Sequence, residues 1–199
     1  SSYIIDQIPD GACIQLGLGG VSNAVGYGLK GKNDLGAHSE LMTDSIMELM
    51  KLGVVNNSRK TWHQGQTVAA FSLGSAELYR FIDHNPQMYF MPFPLVNNPV
   101  NIAKNDNMIS VNTALSIDLF GQVNADNFAG RQYSATGGQV DFVRGAQMSR
   151  GGKSFLAITS TVDNKKIGQS SRIVAQFPTG TAVTTPRSDV QYVVTEYGC

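Results

Sequence analysis

The sequence predicts an α/β domain with a mostly parallel or mixed sheet and helices on both faces of that sheet. Segments typical of strands alternate with segments of about ten residues that have the 3.6-residue period of a helix. Several strand segments are almost entirely apolar, which is typical of parallel strands buried on both faces. Without an internal repeat, a low-complexity tract or a linker, residues 1–199 are interpreted as one domain.

The first part of the chain predicts three units of a strand followed by a helix. The strands are expected in GACIQLGLGG, DLGAHSE and QTVAAFSLGS. The helices are expected in SNAVGYGLKG, TDSIMELMKLG and SAELYRFIDHN. We expect Ser22 to cap the first helix and Gly31 to end it, while Ser75 caps the third helix and Pro86 ends it.

The second part of the chain is richer in strands, which favours an added antiparallel or mixed region. Strands are expected in QMYFMPFPLV, NMISVNTALSIDLFGQVNAD, KSFLAITS, SRIVAQF and QYVVTEYG. The second of these holds a turn at Thr113 to Ala114 or a hairpin at GQVN. Between them, SATGGQVDFVRGAQMSRGGKS predicts a short amphipathic helix in which Asp141 and Arg144, three residues apart, can pair.

Composition excludes several classes of function. The 15 basic and 15 acidic residues balance, and no Lys/Arg cluster indicates a nucleic-acid or anionic-membrane surface. No apolar run reaches the ~20 residues that span a bilayer, and the N-terminus does not resemble a signal peptide. The two cysteines, Cys13 and Cys199, suit a reducing cytoplasm. The scattered His38, His63 and His84 predict no metal site.

Glycines cluster at two expected helix starts, in QLGLGGVSNAV and in SATGGQV. A glycine-rich turn before a helix can present free N–H groups and the positive end of the helix dipole to an anion, although it can also be only a tight turn. Ser22 stands where the dinucleotide fingerprint needs Gly or Ala, which disfavours an NAD-dependent oxidoreductase. Two such starts suit an elongated ligand that carries phosphates and amides.

Glu40 is a charge at the expected C-terminal end of a strand, where open α/β sheets collect their functional groups. A carboxylate in a partly dry pocket can act as a general base or as a nucleophile. Alternatively, Glu40 or Asp44 only caps the following helix. His38 shares a strand face with Glu40 and can orient it, or it is a structural histidine. The absence of G-x-S-x-G argues against an α/β-hydrolase serine.

Five segments together resemble the acetyl-CoA hydrolase/transferase family, and more narrowly the C-terminal half of 4-hydroxybutyrate and acetate CoA-transferases. In family order they are IPDGACIQLGLGGVSNAV, DLGAHSELMTDSIMELMKLGVVNN, NTALSIDLFGQVNAD, GGQVDFVRGAQMSRGGKS and AVTTPRSDVQYVVTEYG. The resemblance implies a NagB/RpiA/CoA-transferase-like domain. It also implies that residues 1–199 are the C-terminal domain of a longer chain whose N-terminal half is absent.

The resemblance also implies a role for each matching residue. Glu40 would be the nucleophile that forms a glutamyl-CoA thioester, and Gly138 would donate an N–H to the oxyanion. Asn98 would lie beside the reacting thioester, although the adjoining Asn97 leaves the register open by one residue. Lys153 would reach a phosphate or the pantetheine of coenzyme A. The coenzyme A contacts would be Gly17, Leu18, Gly19, Gly20, Val21, Ser134, Ala135, Gly137 and Gly138.

The implied reaction moves coenzyme A between an acyl-CoA and a short-chain carboxylic acid such as 4-hydroxybutyrate, butyrate or acetate, with no tightly bound cofactor. The implied partners are the N-terminal half and a second copy in a homodimer. Two alternatives stay open: an acetyl-CoA hydrolase, and a CoA-binding module that is inactive without the other half. The aromatic MYFMPFP segment either lines the acyl pocket or packs in the core.

Overall fold

The computed structural model of the chain describes residues 1–128, 130–164 and 168–199. Its helices are α1 (Ser2–Ile5), α2 (Gly20–Gly28), α3 (Asp44–Lys51), α4 (Ala76–Ile82), α5 (Phe93–Val96), α6 (Pro99–Ile102) and α7 (Gln139–Met148). Its strands are β1 (Cys13–Leu16), β2 (Gly36–Ala37), β3 (Leu41–Met42), β4 (Thr67–Ala69), β5 (Phe71–Ser72), β6 (Met88–Phe90), β7 (Met108–Thr113), β8 (Ser116–Asp118), β9 (Val123–Asn124), β10 (Asn127–Phe128), β11 (Arg131–Gln132), β12 (Lys153–Ala157), β13 (Thr161–Asn164), β14 (Gly168–Ser171), β15 (Ile173–Val174) and β16 (Tyr192–Val194). Short 3-10 turns cover Leu29–Gly31 and Arg187–Asp189.

The central sheet has the strand order β16-β12-β7-β1-β2. Each neighbouring pair in it is parallel, with Cys13 opposite Met108 and Phe155 opposite Val111. Because parallel strands share one direction, their carboxyl ends all meet at one edge of the sheet. The predicted parallel sheet is confirmed.

Helices cover both faces of this sheet, as the apolar strands predict. Ile14, Ile109 and Phe155 pack with the apolar sides of α1, α2 and α3 on one face. Cys13 and Met108 point to the other face, where they pack with α6 and α7. All five side chains are at most 1% exposed, so the sheet is a two-sided core.

The expected antiparallel or mixed region is also present. β8 pairs with β9, β10 with β11 and β13 with β14 in antiparallel fashion, while β15 adds to β8 in parallel. The predicted strand in QMYFMPFPLV is only partly correct, because it covers Met88–Phe90 and the chain then forms α5. Pro92 caps α5 and a second proline lies in its first turn, where the missing N–H costs little.

Of the two predicted serine caps, one is wrong and one is confirmed. α2 begins at Gly20 with Gly19 as its cap, so Ser22 lies buried inside the helix instead of capping it. Gly19 has a φ of 131°, which favours glycine over any residue with a Cβ. The Ser75 cap is confirmed, since its Oγ accepts from the Leu78 N–H at 3.2 Å.

The expected ion pair between Asp141 and Arg144 is replaced by an ion pair between residues far apart in sequence. Arg144 Nε lies 2.7 Å from Asp189 Oδ2, in the second 3-10 turn. The pair links α7 to the segment before β16. In the described part of the chain, no helix has the length and apolar character needed to cross a bilayer.

Candidate active site

A cavity of about 390 Å³ opens at the carboxyl edge of the central sheet. The ends of β1 and β7 contribute to its walls, together with the starts of β3 and α7. The lining residues are Gln15, Leu16, Gly17, Leu18, Glu40, Leu41, Phe71, Asn112, Thr113, Ala125, Ser134, Ala135, Thr136, Gly137, Gly138, Gln139 and Phe142. An edge where parallel strands end is where ligands bind in open α/β sheets.

The backbone around Glu40 is held from two sides. The Ser39 N–H donates to the carbonyl of Val68 at 3.0 Å. The Glu40 carbonyl accepts from the N–H groups of Ala70 at 2.9 Å and Phe71 at 3.2 Å. Glu40 therefore projects its carboxylate into the cavity from a rigid connection between β2 and β3.

Neither Glu40 nor Asp44 caps the following helix. Thr43 is the cap of α3, and its Oγ1 accepts from the Ile46 N–H at 3.4 Å. Asp44 instead accepts from the N–H and hydroxyl of Ser75. The alternative reading of Glu40 as a helix cap is therefore wrong.

Asn97 is the side chain that touches the carboxylate. Its Nδ2 donates to Glu40 Oε2 at 2.7 Å, while its Oδ1 is buried without a hydrogen-bond partner among the described residues. Asn98 instead caps α6, with its Oδ1 accepting from the Val100 N–H at 2.9 Å. The structure corrects the expected register by one residue, because Pro99 makes Asn98 the start of a helix and turns its side chain to the backbone.

Gly138 brings the start of α7 directly against the carboxylate. A Cβ at Gly138 would overlap both Glu40 Oε2 and Asn97 Nδ2. Its φ of −90° is open to any residue, so glycine is needed here for the close approach and not for the turn. The first N–H groups of a helix lack intrahelical partners and carry its positive end, which suits an anion forming at this point.

The first glycine-rich loop reaches the cavity only in part. Gly17 and Leu18 line it, and a Cβ at Gly17 would lie 2.6 Å from Asn112 Oδ1. Thr113 Oγ1 donates to the Leu18 carbonyl at 3.0 Å, which ties the loop to the end of β7. The other expected contacts of this loop, Gly19, Gly20 and Val21, form the start of α2 outside the cavity wall.

The second segment expected to contact coenzyme A, residues 134–138, lines the cavity along its whole length. Ser134, Ala135 and Gly137 are exposed and lead into the buried Gly138. The Ser134 N–H donates to the Asp126 carbonyl at 3.3 Å, which holds the segment over the opening. All the expected residues of this segment belong to the cavity wall.

Lys153 does not lie at the cavity. It is the first residue of β12, paired with Ile109 near the amino ends of the strands, and its Nζ donates to Gln7 Oε1 at 2.8 Å. The cavity lies at the opposite edge of this parallel sheet. Lys153 is therefore distant from Glu40, because it begins its strand instead of ending one, and its expected contact with coenzyme A stays a prediction.

Polar residues on the cavity floor were missed from the sequence. Gln15 Oε1 accepts from Ser110 Oγ at 2.8 Å and from Asn112 Nδ2 at 3.1 Å, and Gln15 Nε2 donates to Asn112 Oδ1 at 3.1 Å. Gln15 interrupts the otherwise apolar CIQL strand, and Asn112 is the second buried polar residue of the MISVNT strand after Ser110. A polar residue in a strand buried on both faces needs a partner, and that is the signal that would have identified them.

The charges around Glu40 are few. Burial and the negative charge of Glu40 raise the pKa of Asp141, the acidic residue in the first turn of α7. His38 does not touch Glu40, and burial lowers the pKa of its imidazole to about 3, so it is neutral. Among the described residues, no group of three His, Cys, Asp or Glu side chains has the arrangement of a metal site. The donors at the carboxylate are thus neutral amides.

Known proteins are similar to this chain in sequence and in fold. A succinyl-CoA:cyclohexane-1-carboxylate CoA transferase of Geobacter metallireducens is 50% identical over 98% of the chain, and a 4-hydroxybutyrate coenzyme A transferase of Clostridium kluyveri is 49% identical over 96%. The chain spans 44% of the length of each of these relatives.

The crystal structure of RipA from Yersinia pestis superposes with a TM-score of 0.91 at 45% identity, over 99% of this chain and 44% of that one. A 4-hydroxybutyrate CoA-transferase from Porphyromonas gingivalis gives a TM-score of 0.81 at 40% identity, over 100% of this chain and 47% of that one. The predicted CoA-transferase-like fold is confirmed. Residues 74–199 match the model of the acetyl-CoA hydrolase/transferase C-terminal domain. With that match and relatives of this similarity along nearly all its length, the chain belongs to the acetyl-CoA hydrolase/transferase family.

Proposed function

We propose that this chain is the C-terminal domain of a CoA-transferase that moves coenzyme A from an acyl-CoA to a small carboxylic acid, with Glu40 as the covalent carrier. The observation that carries the proposal is the Glu40 carboxylate in the cavity, with Asn97 Nδ2 2.7 Å away and the start of α7 against it. The relatives at 49–50% identity are named as CoA transferases, which supports the same chemistry.

The first half of the reaction replaces one thioester by another. A Glu40 oxygen attacks the thioester carbonyl of the acyl-CoA, and the C–S bond breaks to give an acyl-glutamyl anhydride and the CoA thiolate. The thiolate attacks the glutamyl carbonyl of the anhydride. The acyl carboxylate leaves, and the glutamyl-CoA thioester remains. A second carboxylate then attacks the glutamyl-CoA thioester and releases the CoA thiolate, which gives a new acyl-glutamyl anhydride. The thiolate attacks the acyl carbonyl of this anhydride, so that the new acyl-CoA leaves and the Glu40 carboxylate is restored.

Every nucleophile and every leaving group in this cycle is an anion, so no step needs a general acid or base. What each addition does need is stabilisation of the oxyanion on the attacked carbonyl. The Asn97 amide and the first N–H groups of α7 are donors of this kind. The neutral His38 and the neutral amides around Glu40 suit this chemistry, because a nearby cation would hold the carboxylate in a tight ion pair.

Coenzyme A would lie along the segments that line the cavity, with Gly17 and Leu18 on one side and the stretch from Ser134 to Gly138 on the other. The acyl group would face Phe71, whose ring lies 5.6 Å from that of Phe93. The cavity is open, and we propose that the N-terminal half of the same protein covers it. A homodimer and a cytoplasmic location stay predictions.

The test of the proposed function is to trap the covalent intermediate in the protein expressed with its complete natural sequence. After incubation with an acyl-CoA and reduction by borohydride, peptide mass mapping should find Glu40 converted to the alcohol, and Glu40→Ala should lose CoA transfer. Glu48→Gln, which changes a carboxylate on α3 outside the cavity, should retain labelling and transfer. Substantial transfer by Glu40→Ala would refute the proposal.

An acetyl-CoA hydrolase is the second candidate, because water can attack either covalent intermediate of the same cycle. Glu40 is only partly buried where it lines the cavity, so water can reach it in this chain. The two activities separate when free CoA and new acyl-CoA are measured with and without added acetate. An acid-dependent rise in new acyl-CoA indicates transfer, whereas acid-independent release of CoA indicates hydrolysis.

A further inference from the structure

His38 connects the two segments that meet at the carboxylate. Its Nε2 lies 2.8 Å from the carbonyl oxygen of Val96, the last residue of α5. Val96 immediately precedes Asn97, and His38 stands two residues before Glu40. Glu40 and Asn97 are 57 residues apart in sequence, so their contact depends on how these segments are held together.

The partners of the imidazole define which nitrogen carries the proton. A carbonyl can only accept, so Nε2–H is the donor to Val96. Nδ1 then accepts from the Asn105 Nδ2, 3.1 Å away. Both nitrogens are satisfied by neutral groups, and the ring is fully buried. The burial that lowers its pKa to about 3 keeps this arrangement unchanged across the physiological pH range.

Packing leaves the ring no alternative position. Trp62 stacks on it with ring centroids 5.3 Å apart, and Phe142 meets it edge-on at 5.8 Å. The backbone N–H of His38 is also fixed, because it donates to the carbonyl of Ile14 in β1 at 3.1 Å. The buried imidazole therefore links the central sheet to the C-terminal end of α5 and fixes the distance between them.

We propose that His38 is a positioning residue that holds Asn97 against Glu40 through the carbonyl of Val96. This inference rests on the proposed function. It assigns to His38 a role other than orienting Glu40 by direct contact. Loss of the hydrogen bond from His38 Nε2 would leave the Val96 carbonyl buried and unpaired. The end of α5 would then shift to reach another donor. A shift of about 1 Å in a catalytic donor can lower a rate about 100-fold.

The test compares two neutral, polar replacements in the protein with its complete natural sequence. In His38→Gln the amide Nε2 can reach the place of the imidazole Nε2 and donate to Val96. In His38→Asn the amide ends near the place of Nδ1 and cannot reach. We expect kcat for CoA transfer to fall about 10- to 100-fold in His38→Asn and less than about fivefold in His38→Gln, with KM for the acyl-CoA within about twofold in both.

A double-mutant cycle distinguishes positioning from general stability. If His38 acts through Asn97, then His38→Asn should cost little further activity in an Asn97→Ala background. Leu78→Ala, at a buried site in α4 outside the cavity wall, should lower the melting temperature while kcat stays within about twofold.

Equal kcat values for the Gln and Asn variants, or additive losses in the double variant, would overturn the inference. Borohydride trapping of Glu40 in the unaltered protein separates this outcome from failure of the proposed function. If Glu40 is trapped in the wild type and at the same rate in His38→Asn, only the role of His38 is wrong. If Glu40 is not trapped in the wild type, the proposed function itself fails.

Discussion

Two adjacent asparagines perform different tasks in this protein. The Asn97 amide donates to the Glu40 carboxylate, whereas the Asn98 carbonyl oxygen caps α6. The difference comes from the backbone, because Asn97 is the C-cap that follows α5 and Asn98 is the N-cap that precedes α6. Identical side chains one position apart thus point in different directions.

The asparagine pair gives a prediction at the residue scale. Asn97→Ala should lower kcat for CoA transfer by about 100- to 1,000-fold, because a donor to the oxyanion is lost. Asn98→Ala should lower stability by about 1 kcal/mol through loss of a helix cap, with transfer nearly retained. Steady-state kinetics and urea unfolding of both variants measure this difference. The reverse pattern would return the role to Asn98.

The family resemblance implied an asparagine in this segment but left its register open by one residue. In PLVNNPVNI both asparagines follow an apolar stretch, and periodicity does not separate them. The distinction depends on α5, and that helix was expected as a strand. The position of Lys153 was not predictable either, because only the direction of β12 in the sheet places it at the edge opposite Glu40.

The main helices and strands were predictable where the apolar residues follow one clear pattern, that of a helix or that of a buried strand. The three apolar strands β1, β7 and β12 and the helix with its cap at Ser75 follow from sequence pattern alone. Contacts between distant segments were not predictable in this way. Arg144 has an acidic residue three positions earlier, yet it pairs with Asp189, because tertiary packing brings the second 3-10 turn alongside α7.

α7 is the element that defines one wall of the site. Its first turn faces Glu40, and its cap residue Gly138 leaves no space for a side chain. The helix is itself held from behind, where Ile102 of α6 packs against Gly145 so closely that a Cβ would overlap it. The cap glycine sets the distance of α7 from the carboxylate, and the glycine inside the helix sets its distance from α6.

The close approach of α7 gives a prediction at the scale of the element. Gly138→Ala should lower kcat at least about 100-fold, because the added methyl group must push α7 away from Glu40 and Asn97. Gly31→Ala is the matched control, since a Cβ there meets nothing within 4 Å. Transfer assays on the two variants, with circular dichroism to verify folding, provide the measurement. Full activity in Gly138→Ala would contradict the observed contact.

At the scale of the whole molecule, several large apolar side chains are exposed on segments next to the Phe71 wall of the cavity. Phe90 is 41% exposed, Phe93 48%, Leu95 44% and Leu73 55%. In the MYFMPFP segment Met88 and Met91 pack in or against the core, whereas the aromatic side chains are exposed, so core packing does not account for the aromatic residues. Exposed apolar residues grouped beside an open cavity are typical of an interaction surface.

This surface gives a prediction for the proposed contact with the N-terminal half. Phe93→Ser should weaken association of the separately expressed halves by about tenfold or more. The reason is that an aromatic side chain contributes strongly to binding when the partner buries it in the interface. Leu52→Ser changes an exposed apolar residue at the end of α3, outside the cavity wall, and should have little effect. Titration calorimetry compares the two variants. Equal affinities would show that the other half does not cover Phe93.

The fixed backbone at Glu40 has a consequence for the two covalent intermediates. Its carbonyl is held by two successive amides, and the residue before it is bonded to Val68. Each intermediate in the proposed cycle is thus attached through the Glu40 side chain to a backbone that these hydrogen bonds hold in place. The bound thiolate and carboxylate meet that point at a high effective molarity, a quantity that reaches about 10⁵ M or more in well-oriented intramolecular reactions. The proposed transfer of coenzyme A from one acid to the next would therefore need no rearrangement of the backbone at Glu40.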